Sequence, residues 1–235
     1  MFVEKPLCLT ETELASIEST FNEMRCKGRS PLLMVGFNRR FAPAVLAVKT
    51  HFQKAQGPLS ILYRVNAGRV PPESWIARAE ESGGRIIGEV CHFVDLCAHL
   101  ADSPIAEVSA TRSSAGPDDV MIGLRMANGS IATVAYMIDG DRAAPKERIE
   151  VFGGGRFATI DDFRRARVSG RGLALRHGGM LARQDKGHAA EVTAFVRTVS
   201  SRMAAPVSLD SAINTTRATF AIVRSLESGG PVRVP

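Results

Sequence analysis

Apolar and polar positions follow two rhythms in succession along this chain. Phe2–Lys5 is a short extended run ending at Pro6, which has no N–H to continue a ladder. Thr10 opens the stretch TETE, with Glu13 at the third following position, a reciprocal helix cap. Leu14, Ile17 and Phe21 repeat behind it at helical spacing until Gly28 and Pro31. LLMVGFN, from Leu32 to Asn38, is continuously apolar and reads as a buried strand. Pro43–Gln53 reads as a second helix, closed by the turn Gln56–Pro58. Strand, helix, strand, helix is the order of a parallel crossover unit.

The second rhythm is that of strands. Leu59–Ala67 is extended, and a long Pro- and Gly-bearing segment, Gly68–Gly88, leads to a helix over Glu89–Leu100. From Ile105 the period is two. Met121–Met126 and Ile131–Ile138 flank the short turn Ala127–Ser130 as a hairpin. KERIEVFG and RFATIDDF continue it around Gly153–Gly155, and the stretch RRARVSGRGLALRHGG lacks amphipathic order. Two helices, Lys186–Ser201 and Asp210–Ser228, close the chain, with Asp210 as the expected cap.

At 235 residues, 45% hydrophobic and 23% charged, this is an ordinary globular protein: one large domain, or one with part of another. No apolar run approaches the ~20 residues of a membrane span, so a cytoplasmic location and no membrane partner are the expectation. The net charge of +6 slightly favours anionic ligands. Arg39-Arg40, Arg164-Arg165 and Arg171–Arg176 come without aromatic interleaving or a nucleic-acid module. They read as solvated surface, and no nucleic-acid partner is expected. Cys8, Cys26, Cys91 and Cys97 lack CxxC spacing and read as reduced, mostly packed thiols.

Three places could carry chemistry. Lys5, in Glu4-Lys5-Pro6, stands at the carboxyl end of the expected parallel strand, where α/β sheets bind ligands. A surface lysine beside a turn proline is the alternative, and the one composition alone favours. His92, Asp95 and His99 share one helix face behind Gly83-Gly84. They suit proton transfer, packing or solvent exposure; no established zinc spacing appears, and no metal is expected. Asn66, Arg69 and Trp75 flank the long segment. The tryptophan either packs on the C–H face of a polyol or anchors the loop.

VEKPL, GFNRRF, GG-x4-E-x2-CHFVDL, PKERIEVFGG and SLESGGPV, in this order, resemble the glucose–fructose oxidoreductase / inositol dehydrogenase / rhizopine catabolism (Gfo/Idh/MocA) family. The likeness is greatest to a branch sometimes fused to a zinc-dependent alcohol-dehydrogenase-like domain. It implies an α+β fold: a large, mostly antiparallel sheet with covering helices, preceded by a partial Rossmann α/β remnant. Residues 1–40 would be that remnant and 41–235 the substrate and oligomerisation domain.

The resemblance implies an NAD- or NADP-dependent oxidoreductase acting on a sugar, inositol or related polyol, with catalytic Lys5 and His92. Glu4, Lys5, Pro6 and Arg39 would face the cofactor, and Asn66, Trp75, Glu89 and Asp95 the substrate. Many members carry an aspartate four residues before the histidine; here Gly88 stands there and Glu89 follows. Glu89 supplies that carboxylate from a shifted position, or the substrate is positioned differently. The family's glycine-rich pyrophosphate loop is not found, so this chain alone is expected to bind dinucleotide weakly or not at all. A non-catalytic sugar-binding or partner-binding protein is the alternative. Apolar residues on both parities of Met121–Met126 and Ile131–Ile138 point to a homo-oligomer, or to a separately encoded N-terminal half.

Overall fold

The computed structural model describes residues 1–29, 31–71, 73–74, 78–114, 118–170, 173–177, 183–201 and 203–235. At the amino end, strand β1 (Phe2–Val3), helix α1 (Glu11–Cys26) and strand β2 (Met34–Val35) form a small parallel unit. Thr10 and Glu13 make the expected capping box. The apolar run after Leu32 supplies only two strand residues, because β1 offers a two-residue partner and Asn38–Phe41 turns at once into a 3-10 helix. Helix α2 (Pro43–Phe52) follows, with proline in its first turn.

Nine strands among the described residues then make one sheet. In chain order they are β3 (Ser60–Asn66), β4 (Ile105–Arg112), β5 (Val120–Met126), β6 (Ile131–Met137), β7 (Glu147–Gly153), β8 (Arg156–Asp161), β9 (Arg165–Gly170), β10 (Leu173–His177) and β11 (Val232–Arg233). The spatial order is β10-β9-β8-β7-β3-β6-β5-β4-β11. Every neighbouring pair is antiparallel except β3–β6, which run parallel from Ser60 opposite Ile131. The mostly antiparallel sheet of the sequence reading is therefore present. RRARVSGRGLALRHGG, which showed no amphipathic order, contains β9 and β10. Val168 opposite Ala158 and Ala166 opposite Ile160 give β9 its pairing with β8.

Short helix α3 (Ala79–Ser82) precedes a widened helical turn, Ile86–Val90, which runs directly into α4 (Cys91–Ala101). Helices α5 (His188–Ser201) and α6 (Leu209–Ser228) complete the fold. Ser208, not Asp210, caps α6, its side chain accepting from the Ser211 N–H. Leu14, Met34, Val35 and Phe37 share a core with Ala212, Ile213 and Phe220 of α6. The larger core lies between α2, α4 and α6 and one face of the sheet, with Tyr63, Phe93, Ile122, Val134 and Ile149 at its centre.

Burial alternates cleanly along β5: Val120, Ile122, Leu124 and Met126 point inward, Met121 and Arg125 outward. The two-parity pattern was thus misleading about β5, whose outward set is mixed. Across the sheet, however, that outer face leaves Leu62, Met121, Ile131 and Phe152 40–53% exposed.

Gly187 joins α5 to the 3-10 turn. It sits at φ +87°, and a Cβ there would lie 2.4 Å from the Asn38 carbonyl oxygen and 2.6 Å from the Ala42 nitrogen. Neither backbone atom can swing aside. Gly187→Ala is expected to destabilise the protein by about 3 kcal/mol, read as a lower urea midpoint. An unchanged midpoint would mean that α5 does not dock so closely.

Candidate active site

A cavity of about 580 Å³ opens between the β1–α1 connection, the 3-10 turn, the α3–α4 segment and the start of α5. Lys5, Pro6, Asn38, Arg39, Glu89 and His92 contribute to its wall. Lys5 follows β1 through a cis peptide to Pro6, and its Nζ donates to the Gly88 carbonyl at 2.6 Å. Gly88 stands one helical turn before His92, so the lysine is anchored beside the imidazole.

Gly88 is constrained for a second reason. A Cβ at this position would lie 2.5 Å from the Ser82 carbonyl oxygen, so an aspartate does not fit without backbone movement. Glu89 does not take over as a partner for His92. Its carboxylate accepts from the Tyr136 hydroxyl at 2.6 Å and lies 3.4 Å from both Arg85 and Lys146. Burial raises its pKa, but Tyr136, Arg85 and Lys146 outweigh that and leave it lowered.

His92 is half-buried, edge-on to Phe37 at 6.3 Å, with Nδ1 buried and lacking a hydrogen-bond partner. Burial, and then the charges of Arg39, Lys5 and Lys186, hold its pKa well below the ordinary imidazole value. The ring is therefore neutral and able to accept a proton.

Beneath the cavity, Glu147 at the start of β7 is 1% exposed. It receives Arg39 through Nε and Nη2, each at 2.9 Å, the Tyr63 hydroxyl at 2.5 Å and Lys186 Nζ at 2.6 Å. The neighbouring Arg40 forks onto Asp95 at 2.8 and 2.5 Å, with Ser211 Oγ at 2.7 Å. Arg39 and Arg40 are thus buried ion-pair partners, not solvated surface.

The structure brings Lys5, Pro6, Arg39, Glu89 and His92 to one cavity, although the guanidinium of Arg39 is committed to Glu147. Asp95 is 1% exposed and bound by Arg40, which removes it from the substrate wall. Asn66 lines a neighbouring hollow with Gly140, donating from Nδ2 to the Asp141 carbonyl at 2.7 Å. Glu4 lies over Gly36, outside the cavity lining, and Trp75 lies outside the described residues.

His99 points elsewhere on α4, held neutral by burial with a pKa of about 3. Among the described residues no group of three His, Cys, Asp or Glu side chains could hold a metal ion. The four cysteines are free, Cys26 exposed and the others buried. No helix of the described residues is long and apolar enough to cross a membrane. Sequence reasoning missed Asn38, Arg85, Lys146, Lys186 and His188 in the wall. The runs GFNRRF and KGH contain three of them, but distant pairings decide where they face.

Residues 45–155 match the GFO/IDH/MocA C-terminal domain. That stretch runs from α2 through β7 and carries Glu89 and His92. The uncharacterized oxidoreductase YrbE of Bacillus subtilis (strain 168) is 25% identical over 251 residues, spanning 100% of this chain and 71% of that protein. A levoglucosan dehydrogenase solved in complex with NADH superposes with a TM-score of 0.81 at 19% identity, covering 100% of this chain and 73% of its own. An aldose–aldose oxidoreductase from Caulobacter crescentus, complexed with glycerol, gives 0.77 at 20% identity over 99% and 71%. The fold is that of the GFO/IDH/MocA dehydrogenases.

Glu147 predicts an acid limit. Burial pushes its carboxyl up, but Arg39 and Lys186 overcome this and leave a pKa of about 2 against an ordinary 4.5. A depressed carboxylate stabilises the fold above its unfolded pKa and loses that contribution as pH falls through the folded one. Unfolding free energy should therefore fall by about 3 kcal/mol from this group between those values. Urea titrations across that window should show a flatter profile for Glu147→Gln than for wild type. Identical slopes would remove Glu147 as the source.

Proposed function

We propose that the chain is a GFO/IDH/MocA family oxidoreductase acting on a sugar, inositol or related polyol with NAD or NADP. The carrying observation is Lys5 anchored to Gly88 one turn before a neutral His92. The NADH-bound and glycerol-bound solved relatives support the cofactor and substrate classes. Residues 1–40 are read as part of the nucleotide-binding domain and 41–235 as the substrate domain.

The fit to a dinucleotide is partial. Lys5, Pro6, Asn38 and Arg39 form a wall suited to its reactive end, and His92 Nδ1 is a buried atom without a partner. Among the described residues no glycine-rich turn joins a parallel strand to a helix, so its pyrophosphate has no recognisable cradle here. When bound, the nicotinamide supplies the hydride acceptor. Lys5 Nζ donates to the reacting oxygen and stabilises negative charge there. The imidazole of His92 takes the hydroxyl proton during oxidation and returns it during reduction. The rival reading is a non-catalytic sugar-binding or partner-binding protein.

A panel of sugars and polyols, assayed by nicotinamide absorbance with NAD and with NADP, tests the reading. Where titration shows NAD or NADP bound, absence of dinucleotide-dependent turnover throughout would leave the binding-protein alternative. For a substrate that reacts, His92→Ala should lower kcat by roughly 10²–10⁴-fold while unfolding stability stays close to wild type. Unchanged turnover would take His92 out of the mechanism.

Self-association is the second part of the proposal. Leu62, Met121, Ile131 and Phe152 form an exposed apolar set on the outer sheet face, and covering it removes their side chains from water. Light scattering should give a mass above the 25.3 kDa chain, and Ile131→Arg should reduce it toward that value. A monodisperse wild-type species of 25.3 kDa would overturn the assembly.

A further inference from the structure

The cavity holds more positive charge than its own acids neutralise. Lys5, Arg39, Arg85, Lys146 and Lys186 all contribute to its wall. Glu147 is shared by Arg39 and Lys186, and Glu89 by Arg85 and Lys146. Lys5 is held by a neutral acceptor, the Gly88 carbonyl. Glu81, the other acid of the wall beside Glu89, pairs with Arg78, which is not among the lining residues. Five cations against two available carboxylates leave a surplus of three positive charges.

Arg85 adds a directional element. The residue is only 9% exposed, and its guanidinium lies 5.2 Å from the centre of the Tyr136 ring. Nη2 donates to the Gly68 carbonyl at 3.1 Å, but the buried Nε–H has no acceptor. A buried donor left unpaired is costly, and a planar guanidinium is well suited to anionic oxygen. Lys146, at the other side of Glu89, is the more accessible cation, its side chain 41% exposed.

We propose that this cavity selects polyols bearing an anionic oxygen group, a carboxylate or a phosphate, which Arg85 and Lys146 receive. The proposal deepens the polyol-oxidoreductase reading and rests on it for the polyol part. A neutral sugar would leave the surplus charge uncompensated in a half-enclosed space. An acidic one offsets it beside the Arg85 and Lys146 cations. It also acts on His92: Arg39, Lys5 and Lys186 lower the proton affinity of that ring, and a negative ligand nearby restores it. Substrate charge and the proton acceptor are thus linked through the same cations.

Calorimetric titration of the 235-residue chain with D-glucuronate, D-glucose 6-phosphate, D-glucose and acetate tests this. At least one acidic sugar should bind about tenfold more tightly than glucose and than acetate, and the stronger of the two identifies carboxylate or phosphate. Lys146→Gln, at a partly exposed site, should bring the affinity for the preferred acidic sugar down toward that for glucose; Arg85→Gln should do the same if it folds. Equal affinity for glucose, equal affinity for acetate, no binding of either acidic sugar, or a preference that survives Lys146→Gln would each overturn the proposal. Tight glucuronate binding without dinucleotide-dependent turnover would keep this inference and remove the redox reading. Turnover of neutral polyols with no preference for acidic ones would do the reverse.

Discussion

The site depends on one buried carboxylate. Glu147, at the first position of β7, meets a guanidinium from the 3-10 turn, a phenol from β3 and an ammonium from the segment before α5. Those three elements are far apart in the chain, and the 3-10 turn and the segment before α5 supply two sides of the cavity. The interaction does not have to add net stability over an apolar core to be structurally decisive. Removing one partner leaves another charge buried and unpaired, a change worth about 3–5 kcal/mol. The arrangement therefore tolerates little drift, and this fixes the floor beneath His92.

The same charges set the chemistry above that floor. Arg39 and Lys186 stabilise Glu147, and together with burial they disfavour an imidazolium at His92. A stable foundation and a weakly basic acceptor are two results of one charge arrangement. Arg40 and Asp95 form a separate buried pair beside it, reinforced by Ser211 on α6. Consecutive arginines thus tie the 3-10 turn to two elements, β7 through Arg39 and α4 through Arg40. Substituting lysine at either would lose the two-pronged geometry that the carboxylates receive.

Local chemistry was legible where neighbours in sequence decide it. The Thr10–Glu13 cap, the β5–β6 hairpin and the Gly153–Gly155 turn all depend on residues a few positions apart. The short length of β2 was not legible, because it depends on the partner strand. Nor was β9, which lacks strict alternation and is organised by its pairing with β8. The site followed the same division. Lys5, Glu89 and His92 could be singled out from motifs, but Arg39 and Arg40 looked like ordinary surface charge. Their burial follows from Glu147 and Asp95, which stand 108 and 55 positions away. Asp95 misled for the converse reason: helical spacing placed it on the face of His92, and Arg40 then closed over it.

Gly88 shows how one small residue redirects the carboxylate chemistry. Its close approach to Ser82 excludes a side chain, while its own carbonyl is free to orient Lys5. The next position supplies an acid, but Glu89 turns toward Tyr136, Lys146 and Arg85. The imidazole consequently lacks the adjacent carboxylate that would stabilise its protonated form. In the proposed reaction, proton acceptance at His92 would be favoured by something that arrives with the substrate: negative charge developing on the reacting oxygen, or charge already carried elsewhere on the molecule. Under that proposal, a glycine at 88 transfers part of the task of tuning the base from the protein to its ligand.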